Sequence, residues 1–261
     1  MLRAGLHAST NNRVCLEVFA GKAGISSALR RLGRGTVAID VARGEHCNIL
    51  NNVVFETICG WITSYTVEFL WLGTPCESMT RARRAPPHSC MPSAIRSNER
   101  PRGLPHLSAP DRRTLNRGNA LADRAFHLEN LFYHRHIPGG EENPGSSFLW
   151  LQRNRVVFAA QDRVTHYIVH MCACGTPYRK STRLQLWNWQ DDELKKMRCN
   201  GTRTACGHTG RKHIVLSGCR DRQFATKAAQ TYPPLFCSKL ADMIVRALVR
   251  RRLVQLWDPI C

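Results

Sequence analysis

The sequence is short of acid. Its 261 residues hold 19 aspartates and glutamates against 38 lysines and arginines, a formal charge of +19. That imbalance excludes a neutral surface and points to an anionic partner, nucleic acid first. The competing reading is a composition that simply favours arginine. No apolar run approaches the roughly 18 residues of a membrane-spanning helix. The twelve cysteines, Cys15 to Cys261, include no Cys-x-x-Cys pair and follow no framework spacing. A disulfide scaffold is thereby excluded, leaving free thiols, metal ligands or a nucleophile in a reducing compartment. Residues 1–13 lack an apolar signal core and read as a flexible tail, which predicts an intracellular protein, nuclear rather than secreted. There is no internal repeat.

What is present suffices for one large core over residues 14–261, because 43% of the chain is hydrophobic. Val14–Phe19 reads as a strand, breaks at Gly21 and Gly24, and gives way to a helix over Ile25–Leu32. A strand, a glycine turn and a helix in that order can hold a nucleotide-like cofactor, since glycine lets backbone approach a ligand. Thr36–Ile39 predicts a second strand ending at Asp40, where an acid can accept hydrogen bonds from ribose hydroxyls; a plain turn aspartate is the alternative. Asn51–Tyr65 has the four-residue step of a helix. Val67–Leu72 is a further strand, and it runs into Gly73-Thr74-Pro75-Cys76. A cysteine there lies at the carboxyl edge of an open α/β sheet, where ligands bind. Arg81, Arg83 and Arg84 follow, and positive charge lowers a thiol's pKa. A structural cysteine beside a solvated basic run is the alternative.

Prolines at 86, 87, 92, 101, 105 and 110 forbid long helices, so residues 81–117 are expected to form a mobile basic loop. Asp111 is placed to cap a helix running to Phe132. Glu142-Asn143-Pro144 sits in a turn-like stretch, and Gly139-Gly140 before it reads poorly as a buried strand. Val164–Met171 is a strand. Residues 172–213 read as a small Cys/His-rich insertion, in which Cys172, Cys199 and Cys206 with His213 or His208 supply four ligands of the kind zinc takes. Free thiols and surface histidines are the other reading. His213–Leu216 is expected to be a last strand, and Ser238–Leu256 a C-terminal helix with a basic side.

Leu16-Glu17-Val18-Phe19-Ala20-Gly21, Gly73-Thr74-Pro75-Cys76 and Glu142-Asn143-Pro144 together resemble, in order and rough spacing, the landmarks of the DNA cytosine-5 methyltransferases. The similarity is strongest to a divergent, retroelement-associated branch. Shared with that branch are Gly118-Asn119, Ser147 and Trp150, Gly175-Thr176-Pro177 with Lys180 and Thr182, and Tyr232-Pro233. The resemblance implies a class I methyltransferase fold, a Rossmann-like sheet with helices on both faces, binding S-adenosylmethionine and acting on DNA, with RNA not excluded; a monomer is expected. Phe19, Gly21, Gly24 and Pro75 would line the cofactor site and Asp40 would hold its ribose. Cys76 would attack cytosine C6, and Glu142 would hold or protonate N3. Arg179 and Arg183 would be the arginine pair near the base, and Arg81, Arg83 and Arg84 would meet nucleic acid. Two alternatives stay open: an inactive relative that only binds, and a zinc-stabilised nucleic-acid-binding module of a mobile element.

Overall fold

The computed structural model describes residues 13–84, 93–202, 204–216, 219–220, 223–224 and 226–257. Most of the expected flexible tail lies outside these residues, as do Pro86, Pro87 and Pro92.

Six strands form one sheet: β1 (Val14–Val18), β2 (Thr36–Ile39), β3 (Val67–Leu72), β4 (Gly139–Pro144), β5 (Val164–His170) and β6 (Ser181–Trp187). Their spatial order is β2-β1-β3-β4-β6-β5. The first four are parallel, and β6 runs antiparallel to both of its neighbours. A two-residue ribbon, β7 (Cys219–Arg220) with β8 (Gln223–Phe224), stands apart.

The alternation of side chains along a strand decides what covers each face. Leu16, Val18, Leu70 and Leu72 point one way, into a core closed by α2 (Asn52–Thr63), α3 (Ala109–His134) and α4 (Arg153–Ala159). Cys15, Phe69 and Trp71 point the other way. There α1 (Gly24–Arg31) and the long C-terminal helix pack against them with Ile25, Leu29, Phe236, Leu240 and Ile244. Covered on both sides, β1 and β3 are buried at every residue, as parallel strands require. The Rossmann-like class expected from the sequence is what the chain forms.

The glycine strand β4 departs from expectation: it is a central strand, buried from Gly139 to Asn143. The glycines are there because two tryptophans need the room. A Cβ on Gly140 would lie 2.7 Å from Leu186 and 2.8 Å from Trp71, and one on Gly139 would press on Trp187 and lie 2.8 Å from the Leu70 carbonyl. Residues 181–187 also differ. They belong to the sheet, between β4 and β5, rather than to a Cys/His insertion, so no insertion spans the whole of 172–213. Polar Gln185 disguised this strand; it is buried because its amide donates to Glu129 at 2.5 Å.

The basic loop is shorter than expected. α3 begins at Ala109, with Ser108 rather than Asp111 as its cap, and Pro110 is tolerated in the first turn, where no partner awaits its missing N–H. The stretch before it is fastened by Arg96, 2% exposed, which donates to the Ser78 carbonyl (2.8 Å) and hydroxyl (3.0 Å), the Pro101 carbonyl (2.6 Å) and Asn119 (2.8 Å). His213–Leu216 is not a strand but irregular chain, with Val215 69% exposed. An apolar pair without a partner strand cannot make one.

Gly140→Ala is expected to destabilise the protein by about 1–3 kcal/mol, the usual cost of overpacking, read from the urea midpoint. An unchanged midpoint would mean that Trp71 and Leu186 have slack that their contacts deny.

Candidate active site

The chain turns sharply after β1. Phe19 (φ 59°), Gly21 (φ 49°) and Ala23 (φ 53°) all take the left-handed conformation, which non-glycine residues adopt only when the surroundings compel it. The compulsion comes from hydrogen bonds. The Ala20 amide donates to the Ile39 carbonyl at 3.1 Å and the Ala23 amide to the Ala20 carbonyl at 2.7 Å. Asp40, at the end of β2, accepts from the Gly21 amide at 2.8 Å and from the Ala42 amide at 2.9 Å. Glu17, buried in β1, accepts from the Ser26 amide at 2.7 Å and so holds the first turn of α1. Beside this bend lies a cavity of about 380 Å³, lined by Phe19, Asp40, Val41, Ile49, Pro75 and Leu121 among others. Gly24 faces elsewhere. A Cβ on it would lie 2.7 Å from the Cys237 sulfur, so it serves the packing of α1 on the C-terminal helix.

The loop after β3 is tied to β4 next door. The Thr74 hydroxyl donates to Glu141 at 2.5 Å, and the Asn143 amide donates to the Thr74 carbonyl at 2.6 Å. Thr74 is thereby fixed from both sides two residues before Cys76. Glu142 lies between these two anchors on the opposite face of β4, 7% exposed. Its Oε2 accepts from the Tyr232 hydroxyl at 2.9 Å. Its Oε1 has Lys180 Nζ at 3.7 Å and no hydrogen-bond donor among the described residues. Tyr232 accepts in turn from Trp71 at 3.4 Å. A Cβ on Gly73 would lie 3.0 Å from both the Phe19 carbonyl and the Tyr232 hydroxyl, so the glycine bend, the end of β3 and the Glu142 partner meet at one point. This is the carboxyl edge of the parallel strands.

The charges at this edge set the state of the thiol. Cys76 is half-buried, and burial pushes it up to about 11, with the Glu142 carboxylate adding to the rise and Lys180 opposing it. Tyr232 is held well above the ordinary phenol range by burial and by the same carboxylate, so it stays a donor. Sequence reasoning singled out neither Tyr232 nor Lys180 as a site residue. The one signal was their membership of short patterns whose partners lie far away in the chain.

The expected arginine pair is directed elsewhere. Arg179 donates to His170 at 3.3 Å and to the Cys199 carbonyl at 3.0 Å. Arg183 stacks over the Trp150 ring at 4.7 Å and reaches His166 at 3.1 Å. The register explains Arg183: it pairs with Asn143, and neighbours in register share a face, so it lies opposite to Glu142. Lys180 is the cation at Glu142. Arg81 donates to the Ser146 carbonyl at 2.6 Å and lies over Phe148, and Arg83 pairs with Asp111 at 3.0 Å. The Arg84 side chain lies outside the described residues. Cys172, Cys199, Cys206 and His213 converge at the far end of β5, their ligand atoms all within 4.8 Å of one another; His208 is not of the set.

No protein-family model matches the chain, and no curated protein is similar to it in sequence. Among solved structures it is similar to the Entamoeba histolytica methyltransferase EhMeth, with 13% identity and a TM-score of 0.38, covering 67% of this chain and 52% of that one. It is similar also to the S. pombe Dnmt2 methyltransferase, with 12% identity and a TM-score of 0.38, covering 71% and 54%. A Spodoptera frugiperda DNMT2 variant has 12% identity and a TM-score of 0.33, covering 67% and 49%. The chain thus spans about half the length of these proteins. Likeness at this level carries no argument about activity.

The charges around Cys76 can be read directly. Each unit of pKa changes the thiolate fraction tenfold at a pH well below it. Glu142→Gln removes a negative neighbour and is expected to speed iodoacetamide alkylation of Cys76 at pH 8 by about 3- to 10-fold. Lys180→Gln is expected to slow it. Peptide mass spectrometry gives both rates, and equal rates would put the sulfur outside the carboxylate's field.

Proposed function

We propose that this chain is an S-adenosylmethionine-dependent methyltransferase acting on cytosine C5 in nucleic acid, DNA first, with Cys76 as nucleophile and Glu142 as its partner. The observation that carries this is Glu142 Oε1, a buried carboxylate oxygen with no hydrogen-bond donor among the described residues, on a group whose charge acts on the Cys76 thiol. A buried polar atom left unpaired is costly, and a donor from a bound ring would relieve it.

The residues around the bend fit the cofactor. Asp40 uses each carboxylate oxygen once, and each has room for a second donor, such as a ribose hydroxyl. Val41, Ile49 and Leu121 offer an apolar wall for an adenine ring, with Pro75 at the side toward Cys76. Phe19 and Gly21 would hold the amino-acid end.

The residue chemistry follows from the charges. A cytosine ring carbon is a poor nucleophile. Addition of the Cys76 thiolate to C6 forms a carbon–sulfur bond and drives ring electrons toward N3, where Glu142 provides a proton or a hydrogen bond. C5 then has enamine character. S-adenosylmethionine, when bound, supplies the methyl group that such a carbon accepts. Loss of the C5 proton to water, return of any N3 proton to Glu142 and departure of the Cys76 sulfur restore the ring and free the thiolate. In a duplex the base must leave the stack to meet these groups. The excess of positive charge supports an anionic polymer as the partner.

Transfer of label from S-adenosylmethionine to DNA is expected for the native chain and is expected to fall to background in Cys76→Ala. Equal transfer in the two proteins, or none in the native one on either DNA or RNA, sinks the assignment.

Asp40→Ala is expected to weaken cofactor binding by about 10- to 100-fold, the worth of a lost hydrogen bond to a charged group. Calorimetry reads it, with Cys76 alkylation as the check that the fold persists.

A further inference from the structure

We infer that Cys172, Cys199, Cys206 and His213 bind one zinc ion, and that the ion braces the loop presenting Lys180 to Glu142. The first support is geometry. Zinc–thiolate bonds of ~2.3 Å at tetrahedral angles put ligand sulfurs roughly 3.8 Å apart. Cys199 and Cys206 have their sulfurs at 3.8 Å, and the Cys199 sulfur lies 3.9 Å from His213 Nε2. With Cys172, all four ligand atoms fall within 4.8 Å. All three cysteines are free thiols, with no disulfide among them.

The second support is independent of the first. Between Asn200 and Leu216, Cys206 is the one buried residue among those described, while Ile214 and Val215 are 49% and 69% exposed. The three cysteines make a small cluster separate from both main cores. A segment of this length that buries almost nothing apolar has too little driving force to hold a fixed path, which is the situation that structural metals resolve.

The surroundings suit thiolate ligands. The His208 amide donates to the Cys206 sulfur at 3.4 Å. The Cys199 backbone is locked by its amide donating to His170 Nδ1 at 2.7 Å and by its carbonyl accepting from Arg179. Such outer contacts orient metal ligands. Three sulfurs and an imidazole in a tetrahedron are a donor set for zinc.

The same segment grips the loop that follows β5. The Ile214 amide donates to the Pro177 carbonyl at 2.8 Å, and the loop is closed on its own start by the Met171 amide, which donates to the Arg179 carbonyl at 2.9 Å. Residues 172–180 therefore run between one ligand, Cys172, and the segment carrying the others. At the loop's end Lys180 takes φ 22°, a strained conformation, with its ammonium 3.7 Å from Glu142. A brace is what holds such strain.

Elemental analysis of the native chain is the test, and it needs neither cofactor nor DNA, so it stands or falls apart from methyl transfer. One zinc per chain is expected, and cobalt replacing it should give the visible bands of a tetrahedral thiolate site. His213→Cys should keep the metal and move those bands to the four-sulfur pattern. A folded native chain that holds no zinc after zinc supply, and no such bands with cobalt, overturns the site. For the brace, metal removal is expected to slow alkylation of the Cys76 peptide to the rate of Lys180→Gln. An unchanged rate overturns it, as does a faster one, the mark of a chain that has unfolded at large.

Discussion

Two neighbouring carboxylates in the middle of a sheet are the constraint from which the rest follows. Glu141 and Glu142 are consecutive in β4, so the strand sends them to opposite faces, and both are buried. Burying an ionised carboxylate costs several kcal/mol unless charge and hydrogen bonds meet it. On one face charge meets the demand, although Glu141 Oε2, Arg155 Nε and Gln185 Oε1 have no hydrogen-bond partner among the described residues. Arg155, 1% exposed, lies between Glu141 and Glu129, while Thr74 and Gln185 donate to what is left. Even so, burial pushes Glu141 up to about 8. On the other face Glu142 has a phenol and, farther off, an ammonium. One carboxylate is held within a closed arginine network; its neighbour keeps one oxygen open, without a hydrogen-bond donor among the described residues.

That openness couples Glu142 to the thiol. A thiolate at Cys76 and a carboxylate at Glu142 repel, which is part of why the thiol rises to about 11. Negative charge on the sulfur is therefore disfavoured while the carboxylate is ionised. A substrate resolves this if it withdraws electrons from the sulfur and takes a proton, or a hydrogen bond, at a second atom. Attack on one carbon of a pyrimidine with protonation of a ring nitrogen has that form. The lysine alone does not suffice, because its charge must serve both anions at once.

The parts of this arrangement differ in how openly the sequence states them. The glycine bend, β2 and β3 were legible at nearly their observed bounds, because an apolar run that stops at glycine has few other readings. The fold class was implied by the resemblance that these stretches carry, and the sheet with helices on both faces agrees with it. β4 was not legible, since two glycines make a poor strand by propensity; their place is set by Trp71 and Trp187, which are distant in the chain. β6 hid among charges for a related reason: Gln185 counts as polar until Glu129 is known to meet it. The arginines show the limit most clearly. Arg179, Lys180 and Arg183 are close in sequence, and choosing which cation meets Glu142 needs strand phase and register, which composition does not carry.

The surplus of positive charge had two readings, a nucleic-acid surface or a taste for arginine, and the internal pairs bear on the choice. Arginine does serve the interior here: Arg96 fastens a loop and Arg155 closes a buried network. Each internal ion pair also consumes an acid, as Arg83 takes Asp111, Arg246 takes Asp191 and Arg252 takes Glu68. Pairing therefore removes both signs equally and leaves the +19 untouched. With half as many acids as bases, the cations left over have no acid to meet inside the chain. Desolvation drives unpaired cations outward, Arg96 being a buried exception held by neutral acceptors. A taste for arginine explains why the residues are present, but their unpaired excess still makes a field that attracts phosphate and weakens steeply with salt.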